Sequence, residues 1–332
     1  MNHDLRTEDQ TLNWVQAYEN VCSRAVSHLD RRAFDERREG YLALFAAFPL
    51  QRSTVAQYQE ELLVLESHSI RFRIYRTDKP SRPEICLIYA HGGGFVSGNL
   101  DICDGLAREF ADDLGVTVVT FDYRLSPEYP YPAPLDDCFS IVTHLQDNAP
   151  SFGINPTSIL FSGESCGGNF APAVAMLLRD RGKQQLAGQI PLNPVFNVHR
   201  WAKREVSEGS EGFQAEMQYF TSNYLGAMIN VYDAYASPLL AANLVGMPPA
   251  FIWAAGQDPL RNEAIEFSDK LNAAGVRSVL RIKPGVVHGC IRARHYYPFA
   301  EEVYKEVLDG ISNLIVFLFA SYSNASRLEV GK

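Results

Sequence analysis

The sequence predicts an α/β fold: a mostly parallel sheet of eight strands with helices on both faces and a helical cap. Three observations point to it. From about residue 80, short apolar runs alternate with helical segments. The runs are continuous rather than alternating, as strands buried on both faces are. One stretch, 197–233, interrupts the alternation with helical pattern alone. An insertion in such a sheet projects at the carboxyl edge of the strands, where ligands bind.

The elements follow in order. Leu12, Val15, Tyr18, Val21, Cys22 and Ala25 recur at helical spacing, and a second helix is predicted over 33–48. Residues 60–67 and 69–76 alternate apolar and polar, like an antiparallel edge pair that makes the sheet mixed. Six buried-type runs come next: CLIY (86–89), VTVVTF (116–121), 159–161, 186–192, AFIWA (250–254) and VLRI (279–282). Helical segments near 106–114, 138–146, 171–180, 263–274 and 298–319 separate or follow them. The insertion carries Trp201, Phe213, Met217, Tyr219, Phe220 and Tyr224, and is read as a lid built jointly with the N-terminal helices. The division is therefore 1–55 (cap helices), 56–196 (core, first part), 197–233 (cap insertion) and 234–332 (core, second part).

Composition narrows the function. At 332 residues and 46% hydrophobic the chain suits one large domain plus a covering element. The net charge of −9 and the absence of a basic stripe argue against nucleic acid. The densest basic cluster, Arg24 to Arg38, is interrupted by Asp30, Asp35 and Glu36 and reads as a solvated helix face. No apolar run approaches the ~18–20 residues that span a bilayer, and the N-terminus has no signal-peptide core. Six cysteines at irregular spacing form no zinc or disulfide framework, so a reducing cytoplasm is expected.

The strongest local signal is FSGESCGGN, which carries G-x-S-x-G at Gly163, Ser165 and Gly167 between a strand and a helix. A serine on such a sharp turn needs small residues two positions either side. The turn lifts its hydroxyl above the sheet edge, and the helix start offers the Cys166 N–H to an oxyanion. The second signal is YAHGGGFVSG, directly after the CLIY strand. Three successive glycines suit a loop whose N–H groups must approach a ligand closely. A serine nucleophile needs a base and the base an orienting acid, in the order Ser, Asp or Glu, His. Of His199, His288 and His295, only His288 sits on a loop just past a strand; the other two are read as packing or surface residues. Asp258 follows the AFIWA strand, where it could orient the base or simply cap the next helix.

With these residues assembled, the chain resembles the hormone-sensitive-lipase family of α/β-hydrolases, most closely its bacterial acetyl-esterase-like carboxylesterases. HGGGF (91–95), DYRLSPEYPYPAPLDD (122–137), GESCGGN (163–169), QDPLRNEA (257–264) and VHGC (287–290) carry the resemblance in order. It implies Ser165 as nucleophile, Asp258 as orienting acid and His288 as base. It also implies an oxyanion hole from the N–H groups of Gly93, Gly94 and Cys166, and a cap made of the N-terminal helices plus the insertion. Glu164, Cys166, Pro172 and Cys290 depart from the family pattern without removing a catalytic group.

The expected activity is hydrolysis of short- to medium-chain acyl esters through an acyl-enzyme, with no metal or organic cofactor. Phe95, Trp201 and Phe220 are the expected substrate contacts, forming an apolar slot. The acidic balance favours small soluble esters over emulsified fat. An amidase, lactonase or acyltransferase uses the same triad, and a ligand receptor on this fold needs none of it. The resemblance leaves a homodimer open, through the last strand or the C-terminal helix. Cys166 and Cys290 flank the expected site, either as buried thiols or as places where thiol reagents inhibit.

Overall fold

The computed structural model describes residues 4–25 and 34–320. Helices α1 (Asp4–Ala25) and α2 (Phe34–Ala46) precede a hairpin of β1 (Gln57–Val64) and β2 (Ser69–Arg76). The chain then alternates through β3 (Arg82–Ala90), α3 (Leu100–Leu114), β4 (Val116–Phe121), α4 (Ala133–Asp147), β5 (Ile159–Glu164), α5 (Cys166–Asp180) and β6 (Gly188–Leu192). The short α6 (Val198–Ala202) and the longer α7 (Glu211–Leu225) form the insertion. After them come β7 (Ala250–Ala255), α8 (Arg261–Ala273), β8 (Ser278–Lys283) and α9 (Pro298–Phe319).

All eight strands join one sheet in the order β1-β2-β4-β3-β5-β6-β7-β8. β2 runs antiparallel to both β1 and β4, and every pairing from β4 to β8 is parallel. The central strands are apolar throughout because successive side chains enter two different cores. In β3, Cys86, Ile88 and Ala90 face one core while Ile85, Leu87 and Tyr89 face the other. In β7, Ile252 and Ala254 oppose Phe251 and Trp253 in the same way. Residues Ile141, Val174 and Phe267 of α4, α5 and α8 close the first core. Residues Phe110, Val303 and Ile311 of α3 and α9 close the second, joined by Val15 and Tyr18 of α1. Each large side chain so buried contributes about 1.5–3 kcal/mol.

Helix starts depart from the apolar pattern where polar chemistry sets them. α3 begins at Leu100, well before 106, because the Asn99 side chain accepts from the Asp101 and Ile102 N–H groups. α5 begins at Cys166, where two glycines carry no periodic signal. β1 lies three positions earlier than the alternation over 60–67 suggests, in register with β2 from Gln57↔Arg76 to Val64↔Ser69. No helix among the described residues is long and apolar enough to cross a membrane.

The long motif between β4 and α4 is held by two buried or half-buried carboxylates. Asp122 accepts from the Leu100 N–H and pairs with Arg71. Asp137 is fully buried and accepts from the Arg124 guanidinium (2.7 Å), the Arg124 N–H (2.9 Å) and His68 Nε2 (2.8 Å). Removing one partner of a buried pair leaves the other uncompensated. Asp137→Ala is therefore expected to lower unfolding stability by about 2–4 kcal/mol. Urea denaturation checks it, as a lower midpoint at unchanged slope.

Candidate active site

Ser165 lies on the turn between β5 and α5 with φ +58° and ψ −118°. A non-glycine residue rarely adopts this backbone, and the turn persists only where its surroundings hold it. The two glycines of the motif are what let the surroundings close. A Cβ on Gly167 would fall 2.2 Å from the Ala90 carbonyl oxygen, and one on Gly163 would fall 2.4 Å from the Gly167 backbone. β3, β5 and the start of α5 thus touch backbone to backbone. The Ser165 N–H donates to Leu192 O (2.9 Å), and Ser165 O accepts from the Gly168 N–H (3.0 Å), which starts the helix.

Asp258 stands past the end of β7 and His288 past the end of β8. His288 Nδ1 donates to Asp258 Oδ2 at 2.5 Å. Asp258 Oδ1 accepts from the Leu260 N–H at 2.9 Å. The carboxylate thus serves both of the roles its position allows: it stabilises the turn into α8 and holds the imidazole. Burial disfavours a charged His288, but Asp258 and Glu164 outweigh burial and the nearby Arg292, so the ring titrates above its ordinary value.

Ser165 and His288 line one cavity of about 170 Å³, together with Gly93, Gly94, Phe95 and Cys166. The glycine loop turns sharply there, with Gly93 at φ +122° and Gly94 at φ +62°. The Phe220 ring packs straight onto Gly94, leaving no room for a Cβ. Phe95 is buried and stacks on Tyr224 with ring centroids 3.7 Å apart, so it forms fixed cavity wall. His91 also belongs to the loop rather than to the chemistry: its Nδ1 donates to Gly92 O at 2.7 Å and its ring stacks on Tyr123.

Trp201 departs from expectation. It is buried behind Phe213, which does line the cavity, and its Nε1 donates to Glu263 Oε1 at 2.7 Å. A buried indole N–H needs an acceptor, and Glu263 supplies it from within the core. Glu263 also accepts from the Phe196 and Asn197 N–H groups, and burial pushes it up to about 7 against these three donors. It pins the start of the insertion. From α7 the cavity is lined by Phe213, Glu216, Met217, Phe220 and Thr221, and Phe213, Met217 and Phe220 form an i, i+4, i+7 apolar stripe readable in the sequence.

The N-terminal helices are tied to the loops that form the site. The Arg38 guanidinium pairs with both Glu128 oxygens (2.7 and 3.0 Å) and donates to Val96 O (2.8 Å) and Ser126 O (3.2 Å). Arg38 is thus an anchor and not part of a solvated face; residues 26–33 of that basic cluster lie outside the described residues. From α1, the Tyr18 hydroxyl donates to Gly289 O (3.1 Å), next to His288. Neither contact has a periodic signature in the sequence.

The remaining candidates are structural. His199 is buried between Ser237 Oγ (2.7 Å) and Val231 O (2.6 Å). His295 lies in a turn, 2.7 Å from buried Glu109. Cys166 and Cys290 are fully buried, and burial pushes the Cys166 thiol up to about 11 and Cys290 further still. Neither has the exposed, electropositive setting of a reactive thiol.

The family model described as alpha/beta hydrolase fold matches residues 87–292. An arylesterase of Saccharolobus solfataricus is 27% identical, over 85% of this chain and 91% of its own. The carboxylesterase NlhH of Mycobacterium tuberculosis is 35% identical, over 65% of this chain and 69% of its own. Among solved structures, a bacterial heroin esterase superposes with a TM-score of 0.78 at 27% identity, covering 89% of this chain and 97% of that one. The chain belongs to the α/β-hydrolase fold family, among the carboxylic ester hydrolases of the hormone-sensitive-lipase group.

Proposed function

We propose that this carboxylesterase hydrolyses short- to medium-chain acyl esters through an acyl-enzyme on Ser165. The observation that carries the reading is a single cavity shared by a hydroxyl on a strained turn and an imidazole bonded to a buried carboxylate. In the proposed cycle, His288 takes the Ser165 proton as the oxygen attacks the ester carbonyl. The N–H groups of Gly93, Gly94 and Cys166 receive the oxyanion. His288 returns the proton to the leaving alcohol, then activates the water that frees the acid. Asp258 fixes the ring tautomer and stabilises the imidazolium.

Size preference follows from the cavity walls. About 170 Å³ is close to the ~150 Å³ apolar void that holds a benzene-sized guest. Leu44, Phe95, Val195, Phe213, Met217 and Phe220 make most of this wall apolar. Groups of about six carbons match such a space. The cavity adjoins a wider cleft of about 730 Å³ that shares Tyr41, Phe213, Phe220 and His288. The cleft gives the other half of the ester room outside the slot.

On p-nitrophenyl esters, kcat/KM is expected to peak between about two and eight acyl carbons and to fall at least about tenfold by sixteen. Ser165→Ala is expected to lower kcat by about 10³-fold or more in the same assay. A flat chain-length profile contradicts the size reading, and an active Ser165→Ala contradicts the nucleophile.

The base acts as neutral imidazole, and Asp258 and Glu164 favour its charged form. The acid limb of kcat/KM against pH, which reports the free enzyme, should therefore lie above the ordinary histidine value of about 6.5. Glu164→Gln removes an anion that favours imidazolium, so it should move that limb to lower pH. A pH–rate profile of the two proteins checks the sign.

Arg38 binds the loop carbonyl of Val96, one residue past Phe95. Arg38→Met frees that loop from α2 and is expected to lower kcat/KM on a short ester about tenfold, since small misplacements of catalytic groups are costly. Steady-state kinetics beside a thermal melt separates this effect from unfolding.

A further inference from the structure

Four residues after His288, Arg292 borders three adjoining spaces: the catalytic cavity, the wider cleft and a second cavity of about 450 Å³ behind the glycine loop. Its guanidinium is held in place but not used up. Nε donates to Gly289 O at 2.8 Å, and Nη2 lies so close over Gly289 that a Cβ there would fall 2.1 Å away. On another side the group lies 4.9 Å from the centroid of the Phe45 ring. Among the described residues no carboxylate comes within 4 Å of it, and Nε makes its one hydrogen bond. Glu164 shares both the catalytic and the second cavity with Arg292, yet its buried Oε1 has no hydrogen-bond partner. The neighbouring cations are committed elsewhere: Arg294 to Glu109, and Arg37 over the Tyr219 ring.

A fixed guanidinium whose Nη groups make no hydrogen bond among the described residues, beside a slot walled mainly by apolar side chains with Glu164 and Glu216 as its carboxylates, can hold a planar anion. We propose that Arg292 selects esters that carry a free carboxylate away from the scissile bond, on the acyl or the alcohol side. The two Nη groups match the two oxygens of one carboxylate. The fork is already oriented by Gly289 and Phe45, so little side-chain freedom is lost on binding. This inference rests on the esterase reading above and adds the substrate class to it.

The test compares two matched pairs by pH-stat at neutral pH. Monoethyl glutarate against ethyl pentanoate probes the acyl side. 4-Acetoxybenzoate against 4-methylphenyl acetate probes the alcohol side. Each pair is read as a ratio of kcat/KM within one protein, so a poorly folded fraction cancels. In the wild type, at least one carboxylate ester is expected to exceed its neutral partner by about tenfold, the size of a charge-assisted contact. The pair that shows it identifies the side. R292Q should bring that ratio near one, and R292K, which keeps the charge without the fork, should fall between. Ratios near one for both pairs in the wild type, or a preference that survives in R292Q, overturn the assignment to Arg292 and leave ester hydrolysis standing. Failure to hydrolyse any of the four esters overturns the esterase reading itself.

Discussion

The backbone-to-backbone contact of Gly167 against the Ala90 carbonyl, with Gly163 against Gly167, is the constraint on which the site depends. It brings the end of β3, the end of β5 and the start of α5 closer than any side chain allows. Ser165 is then forced to a positive φ at the sheet edge. The same approach places the glycine loop that leaves β3 over the start of α5, so that one cavity holds both. A strained residue of this kind costs on the order of 1–3 kcal/mol and persists because its neighbours over-determine it. Here they do so with β3 and β5 buried on both faces and α5 buried along most of its length.

Around this rigid centre the other parts are attached by polar ties. Asp258 spends one oxygen on its own turn and the other on His288, which couples the position of the imidazole to the end of β7. Glu263, five residues on, reaches the start of the insertion through two backbone N–H groups and the Trp201 indole. Arg38 and Tyr18 bind the N-terminal helices to the glycine loop and to the loop after His288. The covering helices are therefore fastened to the same two loops that carry the proposed oxyanion donors and base. A change in the cover is felt at the chemistry through carbonyl groups rather than through the core.

Much of this was legible in the sequence, for identifiable reasons. The strands over 116–121 and 69–76 were readable to the residue, because burial on one or two faces writes itself as apolar pattern. Ser165, Asp258 and His288 were readable because each sits at the end of a strand next to a short motif. What the pattern hid was set by hydrogen bonding. The start of α3 depends on the Asn99 side chain, and the start of α5 on glycines that have no hydropathy. Trp201 was read by its apolar ring, whereas its N–H decided where it went. Arg38 sat in a mixed-charge stretch that resembles a solvated face, and its partners lie roughly 60 to 90 residues away. Arg292 was invisible for the same reason: its significance lies in which cavities it borders.

The central claim is that Ser165 carries the covalent chemistry of ester hydrolysis. The most direct measurement is intact-mass and peptide mapping after reaction with a p-nitrophenyl alkylphosphonate, with residual activity followed in parallel. The expected result is one phosphonyl group per chain, on Ser165, with activity lost in step with its formation. Inactivation with the adduct on any other residue, or full labelling of Ser165 with activity retained, would contradict it.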